Sequence, residues 1–469
     1  MDKLLYNKDV LVARIDSLSH FTWVNKPLAP LYLQNSENFL GWLENRCIDT
    51  HRPNSRLLRR ALRLEALEDS DLALEVNAAT ITDTYWVKDA DSPLKWCDVQ
   101  FKKAEYSSLA LIGGYDNFQK AATSSNKKTQ ELTNSGSFEK CWRVRDGSWW
   151  LYKQATSNQL FSELFAYKLG QELGFNMAEY RAGSRYIKQG IRYICSKDFT
   201  EGTKYNFEPI VAITGTDVTD YIKTYSKLKQ LDSSIASDYV SILFLDTLLY
   251  NPDRHCYNFG LLTDPDTGEV LRLAPNFDNN MALISDNYPS SCIRKNDILI
   301  DDFNALLDSG AVWNGYSDTY TLPIITDSLI RKIIRDIGIK VKENFIADFI
   351  MTSYNLIGWN KKMTIEDIVR TVRGKDYIPL LDSSKNPVDQ EAIKNITDDV
   401  FYVSPCLKTL YQTPSPRIMI FSAAGATGKS ALAHYLAHTF KCPYWNLALT
   451  PVGDSTFYGR LDKRIGRKN

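Results

Sequence analysis

The chain has no C-x-x-C pair, and its eight cysteines are scattered over 469 residues without metal-ligand spacing. That usage excludes a disulfide scaffold and reads as reduced thiols in a cytosolic protein. Nor is there a surplus of either charge: Lys+Arg and Asp+Glu each number 56. Bulk electrostatics therefore offer nothing to a polyanion, and no direct nucleic-acid partner is expected. Long apolar runs are missing too. The longest near miss, YVSILFLDTLLY, is interrupted by Asp246, and the N-terminal MDKLLYNKDVLVARIDS lacks the apolar core of a signal peptide. No membrane partner is expected, and the expected location is cytoplasmic. No internal repeat is visible. What the chain does have is 44% hydrophobic and 12% aromatic residues, enough for a real core, and a length that suggests two or three domains.

Residues 1 to about 130 read as mixed α/β. SRLLRRALRLEALE (Ser55–Glu68) has helical spacing, with its arginines on a solvated face, while TDTYWVK and WCDVQF read as short strands or ordered turns. The Ser/Thr/Asn-rich stretch Lys120–Ser137 reads as a mobile loop or linker. After it, KCWRVRDGSWWLYKQA predicts a hairpin turning at Asp146-Gly147, and NQLFSELFAYKLGQELGF a helix that Gly174 ends. Residues 218–252 and 325–374 read as helical, and 375–415 as a connector. From Arg417, RIMIFSA reads as a buried strand, followed by a small-residue loop and the apolar helix SALAHYLAHTF.

One stretch resists a purely structural reading. LLYNPDRHCYNFGLL (Leu248–Leu262) sets Asp253, Arg254, His255 and Asn258 between apolar flanks. Phosphoryl transfer needs an oriented hydroxyl, oxygen ligands for magnesium and a lysine on the phosphates. Protein kinases supply an Asp, an Asn five residues later, and a second Asp in a following turn. Asp253 and Asn258 have that spacing, and NFDNN offers Asp278. Upstream, WWLYK ends a strand with Lys153, and Glu163 sits ten residues on in the next helix. The order Lys, Glu, Asp, Asn, Asp is the kinase order.

These residues carry a resemblance. NPDRHxxNFG followed by APNFDNN is similar to the HipA-like serine/threonine kinases, the toxin-type kinases of bacterial toxin–antitoxin modules. The resemblance extends to TDTYWVK, to TNSGSFEKCW and to the helix at Glu163, and spans roughly Arg52 to Met281. It implies an α+β, bilobal protein-kinase-like fold with a mixed N-lobe (1–190, with a phosphate-binding loop at 133–140) and a mainly helical C-lobe (191–375). It also implies ATP and Mg2+ as cofactors, a protein substrate and an antitoxin-type protein partner. Residue by residue, Asp253 would orient the attacking hydroxyl and take its proton, and His255 would touch the transferred phosphate. Asn258 and Asp278 would hold magnesium. Lys153 would grip the phosphates, with Glu163 ion-paired to it, and Gly136, Ser137 and Lys140 would belong to the phosphate loop. Thr133 stands where the family carries a serine that can be autophosphorylated, and Phe138 where it often has Gln. Arg192–Phe199 (RYICSKDF) would form the hinge against adenine.

A second phosphate motif follows. AAGATGKS (Ala423–Ser430) matches Walker A with Ala in place of the first Gly, so Gly428, Lys429 and Ser430 would cradle phosphate and magnesium in a short βα piece at 416–469 after a connector at 376–415. About forty residues follow it, too few for the remaining strands of a P-loop domain. The main expectation is an active protein kinase. The alternatives are an idle kinase fold that binds nucleotide and regulates a C-terminal P-loop ATPase, and a P-loop NTPase with an accessory N-terminal region.

Overall fold

Alternating apolar residues build the first sheet. In β1 (Lys3–Asn7) and β2 (Val10–Ile15), Leu5, Val12, Ala13 and Ile15 point inward. β3 (Phe21–Trp23) extends the meander, and β4 (Tyr85–Asp89) pairs antiparallel with β1 from far along the chain, for an order β3-β2-β1-β4. Helices α1 (Leu31–Ser36), α2 (Phe39–Arg46), α3 (Ser55–Leu62) and α4 (Asp69–Leu74) lay Leu33, Trp42, Leu43, Leu58 and Leu72 on this sheet. These features come from a computed structural model, which describes residues 2–357 apart from 17–18, 49–54, 63, 65–66, 102–129, 137, 139, 184–191, 217, 295–296 and 312–321. The chain divides into two compact units, Met1–Gly358 and Trp359–Asn469, and the second lies outside the described residues.

Several expectations change here. The Ser55–Glu68 pattern stops being helical at Leu62, and Arg59 is not solvated: it pairs with Asp69 at 2.5 Å. WCDVQF gives α5 (Trp96–Val99), a single helical turn. The end of the polar stretch is not a loose linker. Gln130–Thr133 is a buried 3₁₀ turn, because Leu132 enters the N-terminal core and the Thr133 hydroxyl donates to the Ala79 carbonyl at 2.7 Å.

The second sheet begins with the predicted hairpin of β5 (Lys140–Arg145) and β6 (Ser148–Ala155). Asp146 and Gly147 both adopt positive φ, 51° and 72°, which the tight turn requires. Its register sets Lys140 directly opposite Lys153, so the two cations share one face. Thr156 and Gln159 form a reciprocal cap that starts α6 (Ser157–Glu172). β7 (Tyr180–Ala182) and β8 (Arg192–Lys197) complete the order β5-β6-β8-β7.

The third sheet, β11-β10-β9, joins β9 (Asn206–Pro209), β10 (Gly260–Thr263) and β11 (Val270–Leu273). Gly260 is needed there, since a Cβ would sit 2.3 Å from the Glu208 carbonyl oxygen. Around this sheet pack α7 (Val211–Thr214), α8 (Tyr221–Leu231), α9 (Ser233–Leu249), α10 (Ile298–Asp308), α11 (Asp327–Ile337) and α12 (Glu343–Leu356). The predicted helical run 218–252 is interrupted at Asp232, whose carboxylate caps α9. The predicted run 325–374 is two helices as far as Leu356, and its remainder lies outside the described residues. α9 is apolar nearly all round and buried on almost every face. The fold is mixed α+β. Among the described residues no helix is long and apolar enough to cross a membrane, and no group of three His, Cys, Asp or Glu could hold a metal.

Candidate active site

Three separate elements deliver side chains to one cleft of about 560 Å³. β6 delivers Lys153, the loop after α9 delivers Asp253, His255 and Asn258, and the turn after β11 delivers Asp278. Gly136, Lys140 and Glu163 line the same cleft. Every sequence-predicted site residue that the structure describes is therefore there. Ser137, Gly428, Lys429 and Ser430 lie outside the described residues.

α9 ends at Tyr250, which turns the chain in the left-handed region at φ 53°. The loop then folds on itself: the Asn258 side-chain amide donates to the Asp253 carbonyl at 2.8 Å, leaving its Oδ1 for other partners. Asp278 is also left-handed, at φ 60°, and its amide donates to the Tyr180 hydroxyl. Its Oδ1 receives Lys153 Nζ at 2.6 Å, and Nζ also donates to Asn280 Oδ1 at 3.0 Å. The Phe138 ring lies 4.2 Å from that ammonium. The expected Lys153–Glu163 ion pair is thus replaced. Glu163 points to the Asn279 amide, which lies 3.0 Å from both its oxygens, because the turn after Asp278 presents an unsatisfied N–H to it.

The charges press on one another. Burial alone would raise the Asp278 carboxyl, but Lys153 outweighs it and holds the group below the usual carboxylate range. Burial pushes Glu163 up to about 7, helped by the Asp278 charge and opposed by the Asn279 bonds and Lys153. Asp253 is raised by desolvation, which His255 opposes and Asp278 reinforces. Desolvation lowers His255. The His255 Nδ1 accepts the Tyr257 amide at 3.2 Å, so in the neutral ring the proton sits on Nε2.

Sequence reasoning missed the residue that joins these pieces. Arg254 is buried and spends its guanidinium on Asp246 (2.7 and 2.8 Å), on the carbonyls of Asn258 and Phe277 (2.6 and 2.7 Å), and on the side chains of Asn276 and Asn279. The signal was present: Asp246, set in the apolar run ILFLDTLL of a buried helix, must find a buried cation. The stretch expected as a hinge is strand β8 followed by Asp198 and Phe199, and the rings of Phe199, Phe207 and Phe277, with centroids 5.4 to 5.6 Å apart, give the cleft an apolar wall.

No protein-family model and no curated protein matches the chain. Among solved structures it is similar to the proinflammatory kinase CtkA of Helicobacter pylori, at 18% identity and a TM-score of 0.36 over 46% of this chain and 90% of that one. It is also similar to the HipA–HipB toxin–antitoxin system of Shewanella oneidensis in complex with its operator DNA, at 11% identity and a TM-score of 0.43 over 85% of this chain and 95% of that one. TM-scores this low leave the chemistry to be read from the cleft's own side chains.

Proposed function

We propose that the chain is an ATP- and magnesium-dependent protein serine/threonine kinase of HipA-like type, transferring a phosphoryl group to a protein hydroxyl. The observation that carries the reading is the convergence of Lys153, Asp253, Asn258 and Asp278, from three elements, on one cleft. The donor set fits magnesium: Asn258 and Asp278 offer hard oxygens, Asp278 is held ionised, and two protein donors leave the remaining positions to phosphate and water. Bound there, magnesium–ATP would supply the transferable phosphoryl group and neutralise its charge.

The chain's own groups do the rest. Lys153 and Lys140, opposite each other on adjacent strands, give the cleft a cationic face for phosphates. Gly136, at φ 101°, lets the loop backbone come close to them. Asp253 stands where it can orient a hydroxyl, and its raised pKa makes it a better proton acceptor. His255, exposed and neutral at pH 7, offers its Nε2 proton to a phosphoryl oxygen. The apolar wall of Phe199, Phe207 and Phe277 suits a base. The motif resemblance adds an antitoxin-type partner, a cytoplasmic location, the division of residues 1–190 and 191–375 into lobes, and a phosphate-binding role for Gly428, Lys429 and Ser430 in a C-terminal P-loop piece.

The test is incubation with γ-labelled ATP of wild type, Asp253→Ala and Lys429→Ala. Label is expected in protein, lost with Asp253→Ala and kept with Lys429→Ala. No labelled protein at any magnesium concentration would sink the proposal in favour of an idle nucleotide-binding fold.

A further inference from the structure

We infer that Asn279 is a positioning residue of the proposed kinase site, joining Glu163 and Arg254 into one buried relay that sets the loop of Asp253 and Asn258 against the turn of Asp278. The inference rests on the kinase reading of the cleft. Asn279 and Arg254 both lie within the motif stretches, but neither was given a role in that reading.

All four members of the relay are buried: Asp246, Glu163 and Asn279 at 1% exposure and Arg254 at 8%. Asn279 uses both ends of its side chain. Its Nδ2 donates to Glu163 Oε1 at 3.3 Å, and its Oδ1 accepts from Arg254 Nη2 at 2.9 Å. Its backbone amide is held between the two Glu163 oxygens. A carboxamide offers a donor to the carboxylate and an acceptor to the guanidinium from two separate atoms at once. An aspartate would face Glu163 with like charge, and a leucine would answer neither neighbour.

The placement around Asp278 is what gives the relay a role. Arg254 binds the residue on each side of it, through the Phe277 carbonyl and the Asn279 side chain. The same guanidinium holds the Asn258 carbonyl and is anchored on Asp246 of α9. The Asp278 carboxylate is left to reach Lys153 while its backbone is pinned from both sides. Two turns that never pair as strands are thereby tied to each other through side chains, inside the backbone bonds at their edges from Ala274 to Gly260 and from Leu283 to Leu249. Transfer depends on the distance between them, since one carries the hydroxyl-orienting aspartate and the other a metal ligand. A misplacement of about 1 Å costs a factor on the order of 10² in rate. Of the base-binding wall, Phe199 and Phe207 lie on other elements, and Phe277 alone shares the turn that Arg254 holds.

The experiment is steady-state phosphoryl transfer by the full chain, varying ATP and magnesium, for wild type, Asn279→Leu, Asn279→Ser and Glu163→Gln, with folding checked by urea unfolding. Asn279→Leu and Asn279→Ser are expected to lose roughly 100-fold in kcat, to keep KM for ATP within about threefold, and to need more magnesium for half-maximal rate. Glu163→Gln, which retains an acceptor for the Asn279 amide, is expected to keep at least about a tenth of kcat. If Asn279→Leu fails to fold, the smaller Asn279→Ser decides. A folded Asn279 variant with kcat within about threefold of wild type, or with its loss entirely in KM, overturns the relay. An active wild type with indifferent Asn279 variants overturns the positioning role alone. A wild type that transfers no label overturns the kinase reading, and the positioning role with it.

Discussion

Lys153 and Asp278 hold each other at 2.6 Å across 125 residues of sequence, the ammonium of β6 against a carboxylate that reaches it from a left-handed turn. Each is the other's counter-charge, and Lys153 holds the Asp278 carboxyl below the usual carboxylate range against its burial. Asp278→Asn leaves the buried Lys153 with only neutral acceptors, at a cost of about 3 kcal/mol of stability. It also removes the ionised oxygen donor, so phosphoryl transfer is expected to fall by at least ~10². Urea unfolding and the labelled-ATP assay read the two effects. A variant as stable and as active as wild type would show that the pair is incidental.

The sign of the pH response follows from Glu163. Its folded pKa is raised from 4.5 to about 7, so between those values the folded chain binds more protons than the unfolded one. Stability from this group is therefore full below about pH 4.5 and declines as pH rises through 7. Glu163→Gln removes the titration. The stability of the variant relative to wild type is expected to improve by up to about 3 kcal/mol between pH 5 and pH 8. Denaturant midpoints at the two pH values check it, and parallel pH profiles for the two proteins would refute it.

Much of this site was legible in the sequence because it is local. The spacing of Asp253 and Asn258, the strand that ends near Lys153 and the Asp146-Gly147 turn are all short-range patterns, and each stands where spacing put it. What stayed hidden is long-range pairing. Nothing within ten residues of Lys153 says that its partners are Asp278 and Asn280, and Glu163, expected on Lys153, takes the Asn279 amide instead. The buried turn at Gln130–Thr133 was lost for a related reason: a polar stretch reads as loop, and the single Leu132 that anchors it carries too little signal.

Arg254 and Asp246 make the strongest single-residue prediction for folding. Both side chains are nearly inaccessible, at 5% and 0% exposure. Arg254→Ala strands a buried carboxylate, and the expected loss is about 3–5 kcal/mol. Asp246→Asn combined with Arg254→Gln removes both charges together and is expected to lose clearly less than Arg254→Ala alone. Urea unfolding of the three proteins decides. Equal losses would mean that the pair acts through packing rather than charge.

The loop proposed to bind phosphate gives a prediction for nucleotide rather than for folding. Gly136 stands at φ 101°, a conformation that a side chain makes unfavourable by roughly 1–3 kcal/mol. A Cβ there would come within 2.4 Å of Lys140 Nζ, the far end of a flexible chain that can swing aside. In Gly136→Ala the loop is expected to relieve the strain by shifting, since Gly136 itself is half-exposed. Lys140 then leaves the face it shares with Lys153. The expected outcome is a KM for ATP raised about tenfold, with kcat reduced less and the thermal midpoint nearly unchanged. Lys140→Ala should reproduce the KM effect without the backbone strain, and an unchanged KM in both variants would remove the loop from the phosphate site.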